Sequence, residues 1–275
     1  MRFRLIAADL DNTLLDENSK ISDRTRQAVR KAVSRGVKFV IATGRMFKTS
    51  VAYMHDLGID YDWPVINYHG AMIKTARSEK VILHRPLDNL TAIEVIEKVD
   101  RTGLHVSMFI GNNLYVKEEN EHTRYFHSLT GIEVQPVGDL KDFLKQKQVN
   151  PTKLSVVSRD GRVDQLEPYL KKCYKEKLSI LQSRPYFLEI TDKRATKGQA
   201  LRWLAGREGI KAEEIIAFGD GYNDLDMLDF AGLGVAVANA KPEVIDAAAM
   251  VAGPHDKDGV AEIIEKYVLN KEYNQ

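Results

Sequence analysis

Two acidic runs, each closing an apolar stretch, are the residues of this chain best equipped for chemistry. Leu5-Ile6-Ala7-Ala8 leads into Asp9-Leu10-Asp11-Asn12-Thr13, and Ile215-Ile216-Ala217-Phe218 leads into Gly219-Asp220-Gly221-Tyr222-Asn223-Asp224. Carboxylates two residues apart at the end of a buried strand raise one another's pKa or recruit a cation. Two such clusters, far apart in sequence, predict one metal site closed by the fold. A carboxylate at Asp9 can attack phosphorus and form an aspartyl-phosphate. Asp11 can serve as general acid on the leaving oxygen and then as base for the attacking water. That role needs a protonated start, so a raised pKa is expected at Asp11. Mg²⁺ takes oxygen ligands and keeps several waters, so one or two carboxylates plus a substrate phosphate suffice. Asp9 and Asp220 are the expected side-chain ligands, with the Asp11 backbone carbonyl as a third. Asp224 is expected to orient waters or Lys197, and Thr13 to tether its loop. Gly219 and Gly221 let the backbone turn tightly at the metal.

Cationic and neutral partners stand elsewhere. Thr43 and Gly44 follow a second apolar run, Val37 to Ala42, and precede a helical pattern. A hydroxyl, free N–H groups and a helix dipole make an anion site there. Lys197 follows Thr196, a plausible N-cap, and opens a helix. A lysine in the first turn opposes the dipole, so a phosphate or acyl-phosphate oxygen is the partner that explains its place. For Arg45 two readings stay open: it reaches the substrate, or it pairs with a surface acid.

These residues need elements to hold them. Strand patterns at Phe3 to Leu10, Val37 to Ala42 and Pro64 to Tyr68 alternate with helical patterns at Ser22 to Arg35, with Ser22 as N-cap and Gly36 as stop, and at about Met46 to Leu57. This βαβαβ alternation predicts an α/β fold, a Rossmann-like parallel sheet covered on both faces. In such a sheet ligands bind beyond the carboxyl ends of the strands, and Asp9, Asp11, Thr43, Gly44, Asp220 and Asp224 all fall there. A hairpin at Ala71 to Pro86 then gives way to helices mixed with alternating strands, an inserted α+β domain. The βα alternation returns after Thr196, with a helix at about Lys197 to Glu208, a strand at Ile215 to Gly219, a helix from about Asn223 and a strand at Gly234 to Val237. The predicted division is a core of residues 1–85 and 188–275 around an insert of residues 86–187. Phe187 to Thr191 reads as a strand near the return to the core.

Lys plus Arg number 40 against 39 acidic residues, which gives no electrostatic argument for nucleic acid or an anionic membrane. At 275 residues and 44% hydrophobic, the chain can bury a full core. Cys173 is the single cysteine, so no internal disulfide forms; its helical surroundings predict a partly buried apolar role. No apolar stretch approaches the ~20 residues of a membrane span, and the first residues do not read as a signal peptide. A reducing cytoplasm is the expected compartment. Lys171, Lys172, Lys175 and Lys177 read as a wet helix face, and Trp63 and Trp203 as packing residues.

Taken together these motifs resemble the haloacid dehalogenase-like (HAD) superfamily, in particular its Cof-type phosphatases with a large α+β cap. Asp9-Leu10-Asp11-Asn12-Thr13 is similar to the first motif of that family, Ala42-Thr43-Gly44-Arg45 to the second, Lys197-Gly198 to the third, and the run from Gly219 to Asp224 to the fourth. The resemblance spans core, insert and core again. It implies Mg²⁺-dependent hydrolysis of phosphomonoesters through a phosphorylated Asp9, with Leu10, Thr43, Gly44, Lys197 and Asn223 contacting the phosphate. Dehalogenases of the family lack an acid at the position of Asp11, so its presence points to phosphoryl transfer. Sugar phosphates, a flavin-pathway phosphate or phosphorylated cofactors are the substrates implied. The cap, which the resemblance expects to close over the site, would select among them, with Tyr115, Tyr125, Arg184 and Tyr186 as candidate lining residues. Two departures stand out: His69-Gly70-Ala71 replaces the Asn-Gly-Ala common among relatives, and the segment from Thr191 to Thr196 is more charged than theirs. His69 is therefore expected to alter what the site admits. A phosphomutase and a non-catalytic phosphate sensor are the competing readings. The first usually carries a different, helical cap, and the second would be favoured by loss of Asp9, Asp11 or Asp220.

Overall fold

A computed structural model of the chain describes residues 2–158, 160–184 and 186–270. It divides into two compact units, one made of the chain up to Ile82 together with the chain from Thr196, the other of Leu83–Ala195.

In chain order the first unit begins with β1 (Leu5–Ala8), α1 (Asp23–Ser34), β2 (Lys38–Ile41), α2 (Val51–Asp56), β3 (Pro64–Asn67) and β4 (Met72–Thr75); the chain crosses into the second unit within β5 (Val81–His84). The second unit holds α3 (Asn89–Asp100), β6 (His105–Ile110), β7 (Asn113–Val116), α4 (Glu121–Thr130), β8 (Val134–Pro136), α5 (Leu140–Lys147), β9 (Lys153–Val157), α6 (Arg162–Tyr174), β10 (Leu178–Arg184) and β11 (Phe187–Asp192). The first unit resumes with α7 (Lys197–Arg207), β12 (Ile215–Gly219), α8 (Leu225–Phe230), β13 (Leu233–Val237), α9 (Pro242–Ala247), β14 (Met250–Ala252) and α10 (Gly259–Ile264).

The core sheet has the order β14-β13-β12-β1-β2, with every neighbouring pair parallel. Parallel strands covered on both faces carry unbroken apolar runs, and β1 and β12 are buried at every residue. Leu5, Ile6, Ile216 and Phe218 are fully buried, each worth about 1.5–3 kcal/mol of hydrophobic stabilisation. From β1 the chain moves to one side, into β2; from β12 it moves to the other, into β13 and β14. The topological switch therefore lies between β1 and β12, where an open α/β sheet builds its ligand crevice. The side chain of Ser22 accepts from Thr25 N and starts α1, and that of Thr196 accepts from Gln199 N and starts α7.

β3 departs from the predicted βαβαβ pattern. A parallel bridge between Ala42 and Ile66 joins it to the end of β2, while along its length it pairs antiparallel with β4. The turn between β3 and β4 is tight, with Tyr68 and His69 both at positive φ, 52° and 55°. The helix expected from Met46 to Leu57 is a short 3-10 turn at Phe47–Thr49 followed by α2.

The second unit is an α+β fold. Its sheet has the order β10-β11-β9-β6-β7-β8, antiparallel in the pairs β10/β11, β11/β9, β9/β6 and β6/β7, and parallel in β7/β8. Val106, Met108, Leu154, Val156, Leu188 and Ile190 pack with Val95, Ile96 and Val99 of α3, Leu144 of α5 and Leu170 of α6 in one apolar cluster. The division falls at 82/83 and 195/196, against 85/86 and 187/188 expected from the sequence. The larger shift has a clear cause. β11 hydrogen-bonds to β9 and β10, so the strand expected near the return to the core completes the inserted sheet. Cys173 is exposed, contrary to expectation, because the buried stripe of α6 runs through Val163, Leu166, Leu170 and Tyr174 and passes it by. Among the described residues no helix is long and apolar enough to cross a membrane.

Candidate active site

Strand register assembles the site. Ala8 stands beside Phe218 on one side and Ile41 on the other, and Asp9 N donates to Phe218 O at 3.0 Å. The next residue of each strand or loop is thereby brought to one end of the sheet: Asp9 from β1, Gly219 and Asp220 from β12, and Ala42 and Thr43 after β2. Asp9, Asp220 and Asp224 each place a carboxylate oxygen within 4.8 Å of the others.

Lys197 reaches into this cluster from the first turn of α7. It is fully buried, and its Nζ donates to Asp9 Oδ1 and to Asp224 Oδ1, both at 2.6 Å. The partner expected from its unfavourable place in the helix was a phosphate oxygen; two carboxylates occupy that role here. Burial alone would lower the Lys197 pKa. The charges and hydrogen bonds of Asp224 and Asp9 overcome it and hold the ammonium above the ordinary lysine value. Burial pushes the Asp9 pKa well up; Lys197 opposes this, and the Asp224 and Asp220 charges add to it. Asp220 is pushed up to about 6, first by burial and then by the Asp224 charge, against Lys197 and the Thr13 hydroxyl. Thr13 Oγ1 donates to Asp220 Oδ1 at 3.2 Å, tying the loop after β1 to the loop after β12.

Asp224 shapes its own loop. Its Oδ2 accepts from Asp220 N at 3.1 Å and Gly221 N at 3.0 Å. The side chain folds so closely under the turn that a Cβ on Gly219 would lie 2.4 Å from the Asp224 Cβ, which is why glycine is required there. With Oδ1 on Lys197 and Oδ2 on two backbone amides, Asp224 is committed to protein donors. Asp9 and Asp220 remain as the carboxylates able to face a cation. A hard oxygen pair with raised pKa values, inside a cluster that carries three acids against one lysine, fits Mg²⁺.

The residues expected to contact an anion come in part from the loops after β2 and β3. Thr43 is buried, and its Oγ1 accepts from Arg45 N at 3.1 Å. His69 N donates to Thr43 O at 3.0 Å. The His69 ring lies so close to Gly44 that a Cβ there would stand 2.3 Å from its Cε1. Asn223 Nδ2 lies 3.2 Å from His69 Nδ1, so the amide donates and the ring nitrogen accepts. The residue departing from the common family pattern thus sits between two of the expected phosphate contacts, Gly44 and Asn223. Leu10 is fully buried, and its carbonyl accepts from the amides of Thr13, Leu14 and Leu15.

Arg45 pairs with Asp11. Its Nε donates to Asp11 Oδ2 at 2.9 Å and its Nη2 to Asp11 Oδ1 at 2.6 Å. This fork occupies both oxygens and suits a carboxylate, where the sequence led us to expect a protonated acid. Sequence reasoning missed Tyr53, whose hydroxyl accepts from Arg45 Nη1 at 3.3 Å and donates to Ser19 O at 3.2 Å. It also missed Asn239 and His255, whose side chains donate to Asn12 O at 2.8 Å and Leu15 O at 2.7 Å and pin the loop that carries Asp11. No spacing in the sequence marks these three residues. In the second unit, Tyr115 packs on Phe143 with ring centroids 5.0 Å apart, beside the unit's apolar cluster. The Tyr186 and Phe187 rings are tilted by 50° with centroids 5.0 Å apart, and Tyr125 is half exposed; the Arg184 side chain lies outside the described residues.

Residues 6–264 match the haloacid dehalogenase-like hydrolase family. The Bacillus subtilis protein YxeH is 32% identical over 98% of this chain and 100% of its own length. YitU of the same bacterium, a 5-amino-6-(5-phospho-D-ribitylamino)uracil phosphatase, is 28% identical over 96% of this chain and 97% of its own. A haloacid dehalogenase-like hydrolase from Bacteroides thetaiotaomicron has a crystal structure that superposes with a TM-score of 0.85 at 29% identity, covering 96% of this chain and 99% of that one. With an intact parallel-sheet core, an inserted α+β unit and relatives along its whole length, the chain belongs to the haloacid dehalogenase-like hydrolases, in their Cof-type group of phosphatases.

Proposed function

We propose that the chain is a Mg²⁺-dependent phosphatase of small phosphorylated metabolites, acting through a phosphorylated Asp9. The observation that carries this reading is the buried Asp9 at the sheet's switch point, held by Lys197 and flanked by Asp220. Lys197 aims one Asp9 oxygen by its 2.6 Å contact and leaves the other to attack phosphorus. As the new O–P bond forms, the bond to the ester oxygen breaks, and Asp11, which must take up a proton against the Arg45 fork before this step, passes that proton to the ester oxygen, releasing an alcohol. Water then attacks the same phosphorus and gives its proton to the Asp11 carboxylate. The Asp9–P bond breaks, and inorganic phosphate leaves with Asp9 restored. Mg²⁺ bound by Asp9 and Asp220, with the Asp11 carbonyl, would supply positive charge against the phosphoryl oxygens. Thr43, Gly44, Asn223 and the Leu10 backbone are the proposed phosphate contacts. Asp224 acts by holding Lys197 and the turn after β12.

Sugar phosphates, flavin-pathway phosphates and phosphorylated cofactors are the proposed substrates; the similarity to YitU supports a phosphorylated polyol chain among them. The test is phosphate release from a panel of such esters and 4-nitrophenyl phosphate, with Mg²⁺ and with EDTA. Release that requires Mg²⁺ and falls by roughly three orders of magnitude or more in Asp9→Asn is the expected result. Near-normal turnover by that variant would remove Asp9 as nucleophile.

A further inference from the structure

The turn between β3 and β4 ties together the loops that carry the expected phosphate contacts. Tyr68 N donates to Arg45 O at 3.1 Å and His69 N to Thr43 O at 3.0 Å, so the loop after β2 lies along the turn. Gly70 passes so near the start of α7 that a Cβ there would stand 2.2 Å from the Thr196 carbonyl oxygen. The backbone of His69 is thus held by the segments that carry Thr43 and Lys197. Its ring reaches the other contacts. One edge lies against Gly44, and Nδ1 accepts from Asn223 Nδ2 at 3.2 Å. Asn223 is half-buried in the loop after β12, and the terminal torsion of an amide side chain is soft. Its nitrogen carries two N–H donors in the plane of the amide. Once His69 holds one of them, the plane is set and the second N–H has a defined direction. Oδ1 is set with it, beside Gly221, where a Cβ would lie 2.5 Å away. His69 has φ 55° and ψ 23°, in the left-handed region, where asparagine, aspartate and histidine are enriched among residues other than glycine. The position therefore makes two demands, a left-handed backbone and an acceptor at the δ atom. Asparagine meets both, because its Oδ1 stands as many bonds from Cα as the histidine Nδ1 and also accepts.

We infer that His69 is a positioning residue for phosphate binding: its Nδ1 fixes the Asn223 amide so that the remaining N–H is aimed at the anion. The inference rests on the phosphatase reading above, in which Asn223 contacts the phosphate. A contact of that kind is made to substrate, transition state and inorganic phosphate alike. Its loss therefore raises KM and the inhibition constant for phosphate more than it lowers kcat. A residue that only fills the space beside Gly44 would act through its ring. A residue that acts through Asn223 needs the acceptor and not the ring.

The experiment measures kcat and KM for 4-nitrophenyl phosphate and the competitive inhibition constant of inorganic phosphate, on the full chain with Mg²⁺. The variants are His69→Gly, His69→Asn, Asn223→Ala and the His69→Gly/Asn223→Ala pair, with folding checked by circular dichroism. Glycine takes the left-handed backbone without strain and removes both ring and acceptor. Asparagine removes the ring and keeps the acceptor. The inhibition constant should rise about 5- to 10-fold in His69→Gly, the range of one lost hydrogen bond, with KM rising alike and kcat changing less. In His69→Asn it should stay within about twofold of the wild type. Asn223→Ala should raise it at least as far as His69→Gly does, and adding His69→Gly to that variant should cost less than about twofold more. His69→Ala also lacks the acceptor and serves if His69→Gly does not fold. Equal constants in His69→Gly and His69→Asn, or losses that multiply in full in the pair, would overturn the inference. A rise in Asn223→Ala with none in His69→Gly overturns it and leaves the phosphatase reading standing. A wild type that neither hydrolyses phosphate esters nor binds phosphate overturns that reading as well, so the two failures are told apart.

Discussion

Replacing Lys197 by Met tests the electrostatics of the site most directly. The ammonium is fully buried and touches two carboxylates that are themselves nearly or fully buried. Methionine fills most of the same volume, so the perturbation is the charge. Three carboxylates would then share the cluster without a cation. Removing one partner of a buried ion pair costs about 3–5 kcal/mol, because the remaining charge stays uncompensated. In a folding unit of this size each kcal/mol moves Tm by about 2–4 °C, so Tm should fall by about 6–20 °C at pH 7.5 in EDTA. The assay is thermal melting followed by circular dichroism. Two controls identify the cause. At pH 5, Asp9 and Asp220 take up protons more readily, and the deficit should shrink. Adding Asp224→Asn to Lys197→Met removes one uncompensated charge and should restore part of the lost Tm. A fall under 2 °C, or one that is the same at both pH values, would refute the claim that Lys197 neutralises the cluster.

Two further outcomes follow from the same geometry. Asp220 holds its proton to about pH 6 in the folded chain against about 3.9 when unfolded, so its contribution to stability is full below pH 4 and lost as pH rises through 6. Without metal, Asp220→Asn should therefore be more stable than the wild type at pH 7.5, by an amount of order 3 kcal/mol, and the gap should close at pH 4; a gap independent of pH would contradict this. Gly44→Ala drives a Cβ into the His69 ring, and overpacking of about 1–3 kcal/mol expressed in the transition state lowers kcat/KM about 5- to 150-fold. His69→Ala in the same chain should recover part of that loss on 4-nitrophenyl phosphate, and no recovery would mean that the clash with His69 is not the cause.

The parts of the site legible in the sequence were those set by strand ends. Asp9 and Asp220 each close an unbroken apolar run, and such runs in an α/β chain are strands buried on both faces, so their ends must meet the crevice. Lys197 was legible as a misplaced charge, but not its partners: they come from β1 and from the loop after β12, which pairing of strands distant in sequence brings together. Arg45 stayed open between two readings for the same reason, since nothing local to the second motif places it over Asp11. Tyr53 gave no signal, as a half-buried tyrosine in a short helix is ordinary. β8, β10 and β14 went unread because three-residue strands and a strand of mixed polarity carry too little periodicity. β11 was assigned to the wrong side of the boundary because strand pairing, and not proximity to Thr196, decides which sheet a strand joins.

The order of the core sheet also has a consequence for how the chain folds. The central contact, β1 on β12, joins residues 5–8 to residues 215–218, with the whole inserted unit in the loop between. Loop closure over such a span is entropically costly, though the cost grows only logarithmically with length. The insert reduces it. Its two ends are joined where the Arg85 guanidinium donates to the Arg194 carbonyl, and its sheet draws only on its own strands. Once that unit has formed, more than a hundred residues span no more distance than a short linker, and the remaining search is that of a much smaller protein. β1 is made before β12, and it gains that neighbour only after Ile215 is made. A chain interrupted before that point carries Asp9 and Asp11 but neither Lys197's full setting nor Asp220, and so has no assembled site.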